Sequence, residues 1–91
     1  MATNPLTGGW SELKTEDADI QKLCDLIRDD LEKRVGRKFT KYRAVEYKSQ
    51  VVAGMNYIVK IHVGNGESIH VQFFNPLPGQ GDISITFVID I

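Results

Sequence analysis

Apolar residues follow two different rhythms along this chain, and the rhythm changes near Gly36. Before that point Ile20, Leu23, Cys24, Ile27 and Leu31 recur at i, i+3, i+4, i+7 and i+11, the spacing of a single stripe on an α-helix. The spacing predicts one helix over 16–35. Thr15 is its expected N-cap, and Glu16, Asp17 and Asp19 put negative charge at the positive end of the helix dipole. Lys33 and Arg34 reverse that charge at the far end, where Gly36 is the expected left-handed residue closing the helix. Asp25, Arg28, Asp29 and Glu32 form the other, wet face.

Beyond Gly36 the period falls to two. Val45, Tyr47, Ser49 and Val51 alternate with Glu46, Lys48 and Gln50, Tyr57, Val59, Ile61 and Val63 with Ile58, Lys60 and His62, and Ile69, Val71 and Phe73 with His70 and Gln72. A last run sets Ile83, Ile85, Phe87, Ile89 and Ile91 on one face. Four such segments separated by turn residues predict an antiparallel meander over 39–91, with Gly64-Asn65-Gly66 as its clearest hairpin turn. Residues 1–14, with Pro5 and Gly8-Gly9, lack helical periodicity and read as an extended head. Trp10 and Leu13 permit a further strand there. A helix with one apolar stripe and a sheet with one apolar face bury both by packing together. The fold class is α+β, one helix packed across a curved antiparallel sheet of four to five strands, in a single domain spanning 1–91.

Composition narrows the function. The chain has 91 residues, 42% hydrophobic and 25% charged, with a net charge of −1. That balance gives no electrostatic case for nucleic acid or an anionic membrane. The lone Cys24 has no internal disulfide partner, and the N-terminus does not read as a secretory signal, so a cytoplasmic, reducing compartment is expected. Cys24 lies on the helix stripe, where a buried inert thiol is the ordinary state. His62 and His70 alternate with apolar strand residues and read as solvated; two histidines without a third ligand do not make a metal site. No cofactor, metal or catalytic group is called for, and the chain is not expected to be an enzyme.

The informative features are two turns. In a meander, alternate turns fall at the same end of the sheet, so the tip at Ala53-Gly54 and the loop at 76–79 project together. Gln50-Val51-Val52-Ala53-Gly54 places two β-branched residues at a hairpin tip. Leu77 is held between Pro76 and Pro78. Valines beside a turn are usually strand-end core residues, and a proline-rich loop is usually only a loop. Both at one end suggest a binding edge on which exposed apolar groups are already ordered.

These residues carry a resemblance. Gln50-Val51-Val52-Ala53-Gly54 is similar to the Q-x-V-x-G hairpin motif of cystatins, and Tyr47-Lys48-Ser49, Asn56-Tyr57 and Lys60-Ile61-His62 extend the match as in stefins. Leu77-Pro78-Gly79-Gln80 resembles the family's second loop, and Gly8-Gly9-Trp10-Ser11-Glu12 resembles the stefin head; Met55 departs from the family pattern. The resemblance implies a reversible, tight-binding, non-covalent inhibitor of papain-like cysteine proteases. Gly8, Gly9, Gln50, Val51, Val52, Ala53, Gly54, Leu77 and Pro78 are the implied contacts, with Leu6 and Thr7 in addition. The alternative is a non-inhibitory protein-binding module on the same fold. A monomer is expected, with a domain-swapped dimer as the alternative form if Val51-Val52 strains the tip.

Overall fold

The computed structural model describes residues 9–90, and among them the predicted order holds. Strand β1 (Lys14–Thr15) precedes two helices in tandem, α1 (Ala18–Leu26) and α2 (Arg28–Val35). Then come β2 (Arg43–Val52), β3 (Gly54–Gly64), β4 (Glu67–Asn75) and β5 (Ser84–Asp90). The five strands form one antiparallel sheet in the order β1-β2-β3-β4-β5. Helix α1 touches β2 and α2 touches β5, so the helical layer crosses the sheet from one side to the other.

The apolar stripe is the buried face. Ile20, Cys24, Ile27 and Leu31 pack onto Val59, Ile61, Val63, Ile69, Val71, Phe73 and Ile85, with Leu23 at the margin. Burying each large aliphatic side chain contributes roughly 1.5–3 kcal/mol. In a chain this short, that interface is the core.

Several details differ from the sequence reading. The helix begins at Ala18, capped by Asp17, whose Oδ1 accepts the N–H groups of Asp19 at 2.8 Å and Ile20 at 3.3 Å. Thr15 does not cap it because it is drawn into the ladder opposite Glu46. The expected single helix over 16–35 breaks at Ile27 (φ −101°, ψ 2°). There the Cys24 carbonyl accepts the Ile27 N–H at 3.1 Å and the Tyr42 hydroxyl at 2.6 Å. A side chain entering the hydrogen-bond ladder is a recognised cause of helix kinks. The helix ends as expected at Gly36 (φ 85°).

Glu32 is not on the wet face; it is buried, with 7% exposure. Its carboxylate accepts the Phe39 N–H at 2.8 Å, and Arg28 and Lys38 lie at 3.5 and 3.7 Å. These partners hold its pKa below the usual carboxylate value, the Phe39 hydrogen bond most of all. A buried carboxylate is tolerated because it answers a backbone donor that would otherwise be stranded.

Two bulges shift the strand faces. One between Ala44 and Glu46 puts Ala44, rather than Val45, in the core. The Ala44 N–H is met from the helix by Gln21 Oε1 at 2.8 Å. The other, between the pairs Gln72↔Phe87 and Phe73↔Ile85, reverses β5 past Ile85. Val88 therefore joins the core margin, while Phe87 and Ile89, expected to face inward, are 45% and 51% exposed. The predicted hairpin turn is present: Asn65 (φ 56°) and Gly66 (φ 73°) form a two-residue loop between Gly64 and Glu67, the positive-φ form matched to strand twist.

Candidate functional site

One row of residues runs across the whole sheet near its end. Trp10 bridges Gln50, Gln50 pairs with Asn56, Asn56 with Phe74, and Phe74 with Ser84. Beyond this row, on the same side, lie Gly9, the tip Val51-Val52-Ala53, and the loop leaving Asn75. Ala53 and Leu77 each stand three residues past the row, so the two loops have a similar reach of at most about 10 Å. The head, the first hairpin tip and the second loop therefore converge on one edge, the geometry that equal strand lengths imply.

Each part is held from below. Ser11 clamps the head to β2: its N–H donates to the Ser49 carbonyl at 2.7 Å, and its Oγ accepts the Ser49 N–H at 3.0 Å. In the first hairpin, Asn56 Nδ2 donates to Gln50 Oε1 at 2.8 Å across the strands. Val52 pairs with Gly54 around Ala53 alone, which makes the tip tight.

Gly54 is required there for two reasons. Its φ is 114°, a region closed to L side chains by steric clash. A Cβ at this position would also stand 2.7 Å from the Asn75 carbonyl oxygen and 2.9 Å from Phe74 Cζ. The missing side chain lets the end of β4 close against the tip, which joins the two loops at their bases.

The second loop has its own device. Gln80 N–H donates to the Leu77 carbonyl at 2.9 Å around Pro78 and Gly79, and Gly79 has φ 82°. Proline followed by a positive-φ glycine is the signature of a type II turn. Leu77 stands at its first corner and is 51% exposed.

Chemically the edge is apolar and uncharged. Val51 is 52% exposed, Val52 38% and Trp10 36%. Gln50 and Val52 share the outer sheet face with Asn56 and Gly54, while Val51 shares the helix-side face but lies beyond the core. Neither 50–56 nor 75–81 contains a charged residue, so docking here desolvates no charge on this protein. The shape is a protruding rim. A hollow lies away from it, lined by Asp29, Glu32, Lys33, Gly36, Arg37 and Lys38 at the end of α2.

Of the residues implied by the resemblance, Gly9, Gln50, Val51, Val52, Ala53, Gly54, Leu77 and Pro78 are brought together at this edge. Leu6, Thr7 and Gly8 lie outside the described residues. The sequence reading missed the supports Ser11, Phe74 and Asn75. No spacing along the chain signals them, because each acts on a residue of another strand or loop. Cys24 is the buried thiol that the helix stripe predicts: it lies fully buried beneath the sheet, and burial, aided by the Asp25 charge, pushes its thiol up to about 12. His62 and His70 alternate with the buried Ile61, Val63, Ile69 and Val71, so they face the opposite side of the sheet.

Comparison with known proteins gives a coherent picture. The family model described as Cystatin domain matches residues 8–84. Stefin-3 of Mus musculus is 44% identical over 80 residues, covering 88% of this chain and 78% of the relative. Cystatin-A of Homo sapiens is 39% identical over 77 residues, covering 85% and 79%. A Sus scrofa protein named leukocyte cysteine proteinase inhibitor 1 is 38% identical over 77 residues, covering 85% and 75%.

Proposed function

We propose that this chain, which belongs to the cystatin family and to its stefin branch, is a reversible, tight-binding, non-covalent inhibitor of papain-like cysteine proteases. The observation that carries the reading is the convergence of Gly9, Val51-Val52 and Leu77 on one uncharged rim, hung from a single cross-sheet row. The inhibitor name carried by the Sus scrofa relative points the same way.

The rim acts as a wedge. It enters the groove between the two domains of the protease, with Val51, Val52 and Leu77 against apolar walls. These side chains are about half exposed in the free protein, so each contributes roughly 1 kcal/mol on complete burial. Gln50, Ala53 and Pro78 complete the contacting surface. Gly8 and Gly9 carry no Cβ, and the head passes close to the catalytic cysteine without presenting a carbonyl oriented for attack. Leu6 and Thr7 occupy the substrate pockets on the non-primed side. Inhibition then needs no chemistry: the cleft is filled and the nucleophile has no aligned target. A buried area of about 1,600 Å², typical of protease–inhibitor pairs, accommodates such a wedge. The proposed compartment is cytoplasmic, in keeping with a single, buried, unpaired cysteine.

The test is a titration of papain at fixed concentration, read by hydrolysis of a small peptide substrate. Activity should fall to zero near one equivalent. Hydrolysis that persists in large excess of this protein would overturn the inhibitor reading and leave a binding module on the same fold.

A further inference from the structure

We infer that Met55 is an oxidation site through which peroxides disarm the rim: its thioether takes up an oxygen atom, and the resulting sulfoxide weakens docking while the fold stays intact. Among the described residues, sulfur occurs at Cys24 and Met55. Cys24 is fully buried, and its thiol is held protonated at neutral pH. Since the thiolate is the form that oxidants attack, both access and charge protect it. Met55 has neither protection. It is partly exposed, and a thioether reacts through a sulfur lone pair without losing a proton first. Nor does the core enclose it. Tyr57 and Val59, which follow Met55 on the same face of β3, pack in or against the core cluster, whereas Met55 lies beyond it.

Its place in the ladder ties that sulfur to the rim. Met55 pairs with Val51 on one side and with Asn75 on the other, one residue past the Gln50–Asn56–Phe74 row. Opposed residues in antiparallel strands share a face, with Cβ atoms about 4.5–5.5 Å apart. The thioether therefore stands between Val51, which is 52% exposed, and the strand end that leads to Leu77. It also follows Gly54, whose missing Cβ lets Asn75 and Phe74 close against the tip. With no charged residue in 50–56 or 75–81, Met55 joins Val51 in an apolar flank on the helix side of the rim.

The chemistry is a two-electron oxygen transfer. The sulfur lone pair attacks the terminal oxygen of a hydroperoxide, an S–O bond forms and the O–O bond breaks. The peroxide is reduced and departs, with the proton, as water or an alcohol. The flexible apolar side chain becomes polar and gains a strong acceptor oxygen. In the free protein, water can solvate that oxygen. On docking it is carried with Val51 against an apolar wall, and a polar group that loses water without gaining a hydrogen bond opposes binding. The loss of inhibition rests on the proposed function; the selective oxidation of Met55 does not.

The test treats the full chain with hydrogen peroxide at neutral pH, then removes the excess with catalase. Peptide masses locate the added oxygen, and titration of papain reads inhibition. The expected result is sulfoxide at Met55 with Cys24 still a thiol, and an inhibition constant raised at least about tenfold. The urea midpoint should not move, and methionine sulfoxide reductase should restore inhibition. In Met55→Leu, which still carries Met1, the inhibition constant should be the same before and after treatment. Met55 that stays unmodified under conditions oxidising a short methionine peptide overturns the inference. So does sulfoxide protein that inhibits as well as untreated protein, or Met55→Leu that loses inhibition to the same extent. Untreated protein that fails to inhibit papain would instead sink the proposed function, and the peptide masses would still decide the oxidation site.

Discussion

Replacing Gly54 by alanine tests whether the two loops are built as one body. The substitution adds a single methyl group, yet meets two obstacles. At φ 114° an L residue sits in a region that costs about 1–3 kcal/mol. Its Cβ also stands 2.7 Å from a backbone oxygen that cannot swing away and 2.9 Å from the Phe74 ring. Overpacking of that kind costs about 1–3 kcal/mol more. The sum, about 2–6 kcal/mol, is large beside the roughly 5–15 kcal/mol that stabilises a small domain. It has two places to appear. If the tip keeps its shape, urea unfolding registers the loss. If the tip relaxes, stability recovers but Val51 and Val52 leave their positions, and inhibition weakens tenfold for each 1.4 kcal/mol lost. Stability and inhibition constants measured on the same variant should therefore add to at least about 2 kcal/mol of loss. Phe74→Leu placed in the Gly54→Ala background should restore the ring's share and leave the backbone share. An alanine variant within about 0.5 kcal/mol of wild type in urea, and equal as an inhibitor, would refute this account of the tip.

Other expectations follow from single contacts. Deleting residues 1–9 should speed dissociation from papain by at least about tenfold with little change in association, read by stopped-flow; equal dissociation rates would remove the head from the wedge. Cys24, pushed up to about 12, should resist a thiol reagent at neutral pH until the protein unfolds, and rapid labelling of natively folded protein would contradict its burial. Glu32 has its folded pKa lowered, so its contribution is present above the ordinary carboxylate range and is lost as pH falls through that range toward the folded value. Glu32→Gln should flatten the acid limb of a melting-temperature profile, and an unchanged limb would show that the Phe39 contact carries no linkage.

Much of this molecule could be read from spacing because its core obeys two simple periods. Ile20, Cys24, Ile27 and Leu31 declared the buried helix face, and Val59, Ile61, Val63, Ile69, Val71 and Phe73 the buried sheet face, since each interval repeats where its element repeats. The departures arise from residues distant in sequence. The break at Ile27 preserves the apolar stripe, so periodicity cannot reveal it; its cause is the Tyr42 hydroxyl, which lies 18 residues beyond Cys24. Glu32 looked like a wet-face acid because its partner, the Phe39 N–H, belongs to the segment after the helix. The exposed placement of Phe87 and Ile89 depends on a bulge, and one inserted residue reverses every side chain beyond it. At the rim, the motif residues were legible individually. Their supports were not, because Ser11, Phe74 and Asn75 act through pairing with other strands.

That division bears on how the rim would bind. Fixing one residue's backbone costs about 1–2 kcal/mol, so a tip of three residues ordered only on docking would lose about 3–6 kcal/mol, or two to four decades of affinity. Here the cost is met during folding. The Gln50–Asn56 hydrogen bond, the close approach at Gly54 and the turn closed between Leu77 and Gln80 leave little for binding to arrange. Val51, Val52 and Leu77 can then be exposed, since they contribute on contact nearly all that their burial is worth. The same rigidity limits adaptation: a groove of different width cannot be met by rearranging the tip. Selectivity among proteases should accordingly follow the size of the side chains at positions 52 and 77 more closely than substitutions in the supporting row that keep its pairing. Isosteric changes at Asn56 that alter selectivity without altering stability would show the tip to be adaptable after all.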